Sequence, residues 1–277
     1  MLSIFLALFA AAAAWSAVYF GWSRDHWGLA LTAAIVAFLG ISLIINLILR
    51  KRLNDIFTRV QKNIMDSQEK LRKRILAMQQ KVPNQQKLME FAEKEQATSV
   101  HEAIAMLEEA KPYYKWNLLA GRQVDTLKGQ LHFQLKEFEE ADKCLAHSFL
   151  MDPLIVAMKM TRMYRKKEMK ELEKAFHKGV GRFKYEKGLL IYAVYAWALI
   201  HENRLDEAIA VLAEGKDKTE NAVLKQNWEH LVNNRAKRVS FVGLGDQWLA
   251  LYLENPPAIR QQAQLPFGGR PTRGGFR

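Results

Sequence analysis

Cys144 and His147 stand three residues apart, the spacing that lets a thiol and an imidazole share one helix face and act as nucleophile and base. A lone small cysteine in a helical hairpin also serves as packing, and nothing nearby supplies a third group to orient the imidazole. The seven histidines (His26, His101, His132, His147, His177, His201 and His230) fall in no metal-ligand pattern, and none opens a His-Glu-x-x-His motif. One cysteine excludes an intramolecular disulfide and any multi-cysteine zinc or iron–sulfur site. Val242-Gly243-Leu244-Gly245 lacks the third glycine of a dinucleotide loop, and no lysine turns it into a phosphate-binding loop. The carboxylates sit mostly in Glu/Lys mixtures typical of solvated helix faces. The expectation is a chain without enzymatic activity, cofactor or metal, whose chemistry is binding.

The elements that would present a binding surface follow from where apolar and charged residues fall. The first 49 residues carry only Arg24 and Asp25 as charges. Met1–Ser23 and Trp27–Leu49 are uncharged stretches, each long enough for a helix to cross a hydrocarbon core of about 30 Å. The polar break between them holds Trp22 and Trp27, residues suited to a membrane interface. This predicts a transmembrane helical hairpin over 1–49. A competing reading takes Ala14-Trp15-Ser16-Ala17 as a signal-peptide cleavage site. The missing basic flank and the apolar run through Val18, Tyr19 and Phe20 argue against it. Arg50, Lys51 and Arg52 directly after the second stretch place that end in the cytoplasm, with both termini on the same side. The location this suggests is a bacterial inner membrane.

Residues 50–82 hold ten basic residues against three acids, with apolar residues at Leu53, Phe57, Val60, Ile64, Leu71 and Met78. This is an amphipathic helix with three readings. It could be a solvated continuation of the second span, a stalk lying on anionic lipid headgroups, or a parallel coiled coil making a homodimer, whose seam Ser67 and Arg74 interrupt. Val82-Pro83-Asn84 ends it.

From 84 to 256 helical patterns alternate with short breaks and the charge is nearly balanced. Three segments recur, built on Ala141, Ala175 and Ala208, at 34 and 33 residues. Phe138, Leu172 and Leu205 precede each alanine by three; Gly129, Met163 and Ala196 precede it by twelve; Leu145, Gly179 and Leu212 follow it by four; Pro153 ends the first copy. The pattern resembles the tetratricopeptide repeat, a 34-residue helix–turn–helix unit. The middle copy is degenerate, and an earlier unit on Val100, Ala103 and Leu107 is out of register. The fold class expected is all-α: hairpin, basic helix and a superhelical repeat domain. Trp228, Leu231, Phe241, Trp248, Leu251 and Leu253 would seal its open end.

The resemblance implies a concave face, lined by the first helix of each pair, that binds partner proteins. Its positions fall on Gln123, Thr126, Gln130 and Phe133, then Met160, Tyr164 and Lys167, then Ala193 and Trp197. Gln130, Phe133, Tyr164, Lys167 and Trp197 are the candidate partner-binding residues, although any one aromatic could equally be core. Gly129, Phe138, Ala141, Pro153, Ala175, Ala196 and Ala208 are the repeat-packing residues. Some members of the family clamp a terminal carboxylate with several cations, and here only Lys167 stands at a groove position. The layout is similar to that of bacterial inner-membrane proteins that tether such repeats to assembly or quality-control machinery. Residues 257–277 carry four arginines, two Gly-Gly pairs and Phe267 and Phe276. They read as a disordered tail, either a plain solubilising one or one resembling arginine–glycine-rich RNA-binding tails. A membrane-anchored adaptor is therefore the first reading. A nucleic-acid or ribosome-associated protein acting through stalk and tail is the second.

Overall fold

A computed structural model describes residues 2–21, 27–79, 85–116, 118–149 and 151–255. Among these the regular structure is entirely helical. The interhelical loop with Trp22, the Val82-Pro83-Asn84 break and the 257–277 tail lie outside the described residues.

Helix α1 (Leu2–Gly21) packs along the first half of α2 (Trp27–Gln79). The contact is made by small residues, with Ala7 and Ala30 fully buried, which lets the backbones approach closely. Phe5, Phe9, Phe20, Val36 and Leu43 point outward and are exposed. Both helices are long and apolar enough to cross a membrane, α2 through its first part. At the far end of the hairpin, Ser3 Oγ donates to the Trp116 carbonyl at 2.6 Å, fastening α1 to the domain beyond the apolar region.

Helix α2 runs unbroken for 53 residues, so the second apolar stretch and the basic segment are one element. Below the apolar stretch its stripe is buried in cis: Leu53, Ile56 and Val60 form one core with Val100, Ala103 and Leu107 of α3 (Gln85–Glu108) and Ala120, Val124 and Leu131 of α4 (Leu118–Gln134). Arg59 pairs with Glu109 at 2.7 Å and Arg74 with Glu95 at 2.9 Å across the same seam. The partner of Val100, Ala103 and Leu107 is thus the stalk, and the boundary drawn at 82–84 falls between two helices that share a core. Of the heptad-like stretch Leu53, Phe57, Val60 and Ile64, the first and third are buried in this packing and Phe57 and Ile64 are partly buried against it.

Three helical hairpins follow: α4 with α5 (Phe138–Ala146), α6 (Pro153–Arg165) with α7 (Met169–Arg182), and α8 (Leu189–His201) with α9 (Leu205–Thr219). Helix α10 (Ala222–Val232) packs on α9. Helices α4, α6, α8 and α10 each end in a left-handed residue: Lys136, Lys167, Asn203 and Asn234. The next amide reaches back five residues: Glu137 N to His132 O at 3.0 Å, Glu168 N to Met163 O at 2.9 Å, Arg204 N to Leu199 O at 2.9 Å, and Arg235 N to His230 O at 2.7 Å. These are Schellman turns, which satisfy carbonyls a helix end would otherwise orphan.

The turns fix the register of the units. Seven residues before them stand Gly129, Met160 and Ala196, five after them Ala141, Leu172 and Ala208, and nine after them Leu145, Phe176 and Leu212, all buried. A Cβ at Gly129 would lie 2.8 Å from Leu145 Cγ, so this crossing is closed tightly. In the middle unit the structure puts Leu172, not Ala175, opposite Ala141 and Ala208; Ala175 is only half-buried. Turn to turn the units are 31 and 36 residues apart (136 to 167, 167 to 203), because the connecting segments differ in length. Phe138 packs edge-on against Phe133 at 5.4 Å, with the Arg162 guanidinium over its ring at 4.6 Å. Pro153 opens α6 behind Asp152, whose carboxylate accepts from Leu154 N at 2.9 Å. Asp142 of α5 receives Arg162 Nε and Nη2, both at 2.9 Å, and Lys166 at 2.9 Å, tying the first hairpin to the second.

After α10 the chain doubles back. Asn227 exchanges hydrogen bonds with Ser240, and Glu254 accepts from Ser240 Oγ and Phe241 N. Phe241, Trp248 of α11 (Asp246–Leu249) and Leu251 are buried in the main core.

Two outcomes follow. Leu172→Ala should cost about 2–5 kcal/mol and Ala175→Ser less than about 0.5, read from thermal unfolding of the purified protein. Burial pushes the Asp142 carboxyl up, but the bonds from Arg162 and Lys166 outweigh it and hold the group below the usual range. A depressed folded value means the ion pair contributes fully above the unfolded value of about 3.9 and is lost as pH falls through the folded one. The melting-temperature advantage of the parent over Asp142→Asn should hold from neutral pH to about pH 4 and shrink as pH falls further, toward about pH 2.

Candidate functional site

Cys144 lies half-buried in α5 and His147 caps that helix. Burial, then the charge of Asp125, pushes the Cys144 thiol up, which keeps it protonated and a poor nucleophile at neutral pH. Nearby, the nearly buried Lys128 meets Glu108, which also meets Lys111. Tyr114 is pushed up to about 12 by burial and by Asp125 and Glu108. This cluster locks the 3₁₀ turn Lys111–Lys115 against α4. No group of three or more His, Cys, Asp or Glu side chains able to hold a metal occurs among the described residues. Val242–Leu244 is a single 3₁₀ turn before the four-residue α11, not a loop between a strand and a long helix.

The concave face expected from the repeat is divided in two. Its lower part is occupied by the chain itself. Phe133 is fully buried, with the Tyr252 ring stacked on it at 6.0 Å, and Tyr252 Oη donates to the Gln134 carbonyl at 2.9 Å. Arg165 Nη2 donates to the Tyr252 carbonyl at 3.0 Å. Tyr164 meets Trp197 edge-on at 5.2 Å, and Trp197 stacks on His201 beside Ala236, Val239 and Glu254. Trp197 is 7% exposed. Of the five candidate partner-binding residues, Phe133 and Trp197 are therefore core residues, not free anchors. Tyr164 is half-buried against Trp197, and Lys167 is exposed in the α6–α7 turn. Of the residues expected to seal the end of the array, Leu231, Phe241, Trp248 and Leu251 are buried in the main core and Trp228 and Leu253 pack against it, while Tyr252 after them reaches the first hairpin. The alternation of Phe241, Trp248, Leu251 and Tyr252 in the sequence shows that they are apolar but not which surface they cover.

The upper part is open. Gln123, Thr126 and Gln130 of α4 face Leu53, Asn54 and Phe57 of α2 across a cleft of about 650 Å³. Asn46 and Arg50 of α2 form its roof at the end of the apolar stretch, and Leu119, Phe149, Met151 and Asp152 complete its wall. Leu119 is 46% exposed and Met151 59%. Thr126 Oγ fixes the wall by accepting from Phe149 N at 2.8 Å. The lining mixes apolar surface with side-chain amides, one cation and one carboxylate, a composition that suits a polypeptide segment. Sequence reasoning found the α4 side of this cleft and missed the α2 side, because the stalk was read as a separate element. Two stalk cations, Arg59 and Arg74, are neutralised by α3 and its end.

Compared with known proteins, the chain matches no family model, no curated protein and no solved structure.

Tyr252→Ala should free the returning segment. Expected are a loss of about 2–4 kcal/mol and protease cleavage within 236–255 under conditions where the parent is resistant, followed by limited proteolysis with mass spectrometry.

Proposed function

We propose that this protein is a membrane-anchored helical adaptor, with tetratricopeptide-type units, that holds a partner protein against the bilayer on the cytoplasmic side. The observation carrying the reading is the open cleft between α2 and α4, roofed by Asn46 and Arg50. With Trp27–Leu49 in the bilayer, Arg50, Lys51 and Arg52 stand at headgroup level, the arrangement that retains a segment in the cytoplasm. An unbroken helix rises 1.5 Å per residue, so Lys70 lies about 30 Å below Arg50, well beyond a Debye length from the surface. The lipid contact of the basic segment then narrows to its first turn. A bacterial inner membrane is the location proposed, from the cation placement alone. The cleft is a short step from the membrane, so its partner is a membrane protein's cytoplasmic segment or a protein recruited to the bilayer.

The test is site-specific photo-crosslinking in native membranes, with the crosslinker at Gln123 or at Lys170 on the exposed face of α7. Discrete protein adducts from position 123, absent from 170 and lost on adding Leu119→Lys and Met151→Lys, are expected. Adducts that are equal at both positions, or nucleic acid removable by salt, would overturn the reading.

A further inference from the structure

A second cavity, of about 300 Å³, opens between α6 and α7. Its floor is apolar: Val156, Met163, Ala175, Gly179 and Phe183. Its walls carry Lys159, Lys174, Lys178 and Arg182 against a single acid, Glu171. Glu171 is taken by Lys174, at 2.8 Å on the same helix. Lys159 and Lys178 form no ion pair or hydrogen bond among the described residues, and Arg182 donates only a long contact of 3.7 Å to Met151 Sδ. Three cations thus line one small cavity with no anion to neutralise them.

Lys178 and Arg182 are exposed at the rim, whereas Lys159 is half-buried. Burial, then the neighbouring charge of Lys178, pushes the Lys159 ammonium down from its ordinary value. An apolar side chain at 159 would cover the same floor without either penalty. What repays a half-buried cation beside others is an anion placed among them. Lys174, Lys178 and Arg182 recur every four residues, so they rise in a row along one side of α7 with Lys159 opposite.

We infer that the α6–α7 cavity is a binding site for a phosphate ester with an apolar body, its phosphate held by Lys159, Lys178 and Arg182 and its body on Val156, Met163 and Phe183. A dianionic phosphate matches three cations better than a single carboxylate, and the guanidinium can meet two of its oxygens at once. The ester could be a soluble metabolite or a lipid headgroup, which present the same chemistry. The inference is independent of the adaptor reading, since neither the cleft nor a partner protein enters it.

The test uses the full-length protein in phosphatidylcholine nanodiscs, titrated calorimetrically with phenyl phosphate, inorganic phosphate and benzoate. Phenyl phosphate should bind most tightly, because the other two lack the apolar body or the second charge. Lys159→Met and Arg182→Ala should each weaken it at least about tenfold, equivalent to about 1.4 kcal/mol, while Lys170→Ala on the exposed side of α7 leaves it unchanged. Lys159→Met should also melt higher than the parent without ligand and lose the rise that phenyl phosphate produces, which separates a lost site from a lost fold. Nanodiscs containing phosphatidic acid then distinguish the sources: competition with phenyl phosphate assigns a lipid headgroup, and its absence a soluble ester. No binding by the parent at about 10 mM phenyl phosphate, or equal weakening by Lys170→Ala, would overturn the inference.

Discussion

The continuous helix α2 is apolar on every side in its first part and on one stripe only beyond it, and the rest of the molecule is arranged around that change. In its upper part apolar residues face all directions and most are exposed, with Ala30 and Leu49 buried. From Leu53 onward one stripe is apolar, and it must be covered. Burying Leu53, Ile56 and Val60 is worth roughly 1.5–3 kcal/mol each, more than the exposed ion pairs to Glu95 and Glu109 can contribute. The covering helices α3 and α4 are therefore held to α2 by hydrophobic contact, and the hairpins after α4 inherit their orientation from it. The Ser3–Trp116 bond adds a second tie from α1 to the turn before α4. The helical domain is in consequence an extension of α2, not a body on a tether.

The segment after α10 shows how a row of helical hairpins can cover its own surface. An array end leaves apolar side chains without a neighbouring unit to cover them. Here Phe241, Trp248 and Leu251 enter the core, and Tyr252 reaches the far hairpin to stack on Phe133. Glu254 closes the loop by accepting from Ser240 and Phe241, so the returning segment is fixed at both ends. A partner aimed at Phe133 or Trp197 would have to displace packed aromatic rings. At Gln123 or Gln130 it would meet an open wall. Surface available for binding thus moves from the middle of the array to its junction with α2.

The all-helical class, the two apolar helices and the hairpins were legible because each rests on local periodicity and charge. Gly129, Ala141, Ala196 and Ala208 were legible as small residues at a repeated offset. Contacts between distant segments were not. The stripe from Leu53 to Ile64 announces that something covers it, but lipid, a second copy and α3 all satisfy the same pattern. The middle register failed for a related reason. Counting back from Ala175 assumes equal connecting segments, whereas the left-handed residues Lys136, Lys167 and Asn203 set the true offsets. A lysine carries no signal for positive φ, so two of those turns could not be read from residue type, though Asn203 and Asn234 could.

That failure of register and the cationic cavity have one origin. Where the outer hairpins place Gly129 against Leu145, or Ala196 and Ala208, the middle hairpin places Met160, Leu172 and Phe176. Larger side chains at a crossing set the helix axes further apart. The cavity lies at the level of Ala175 and Gly179, and Gly179 is closed against Ile191 of α8, where a Cβ would lie 3.1 Å from its side chain. The gap is bordered by Val156 and Phe183 and rimmed by cations. A departure from local regularity that leaves charged groups without partners is retained at a cost in stability, and such departures concentrate where a protein binds something.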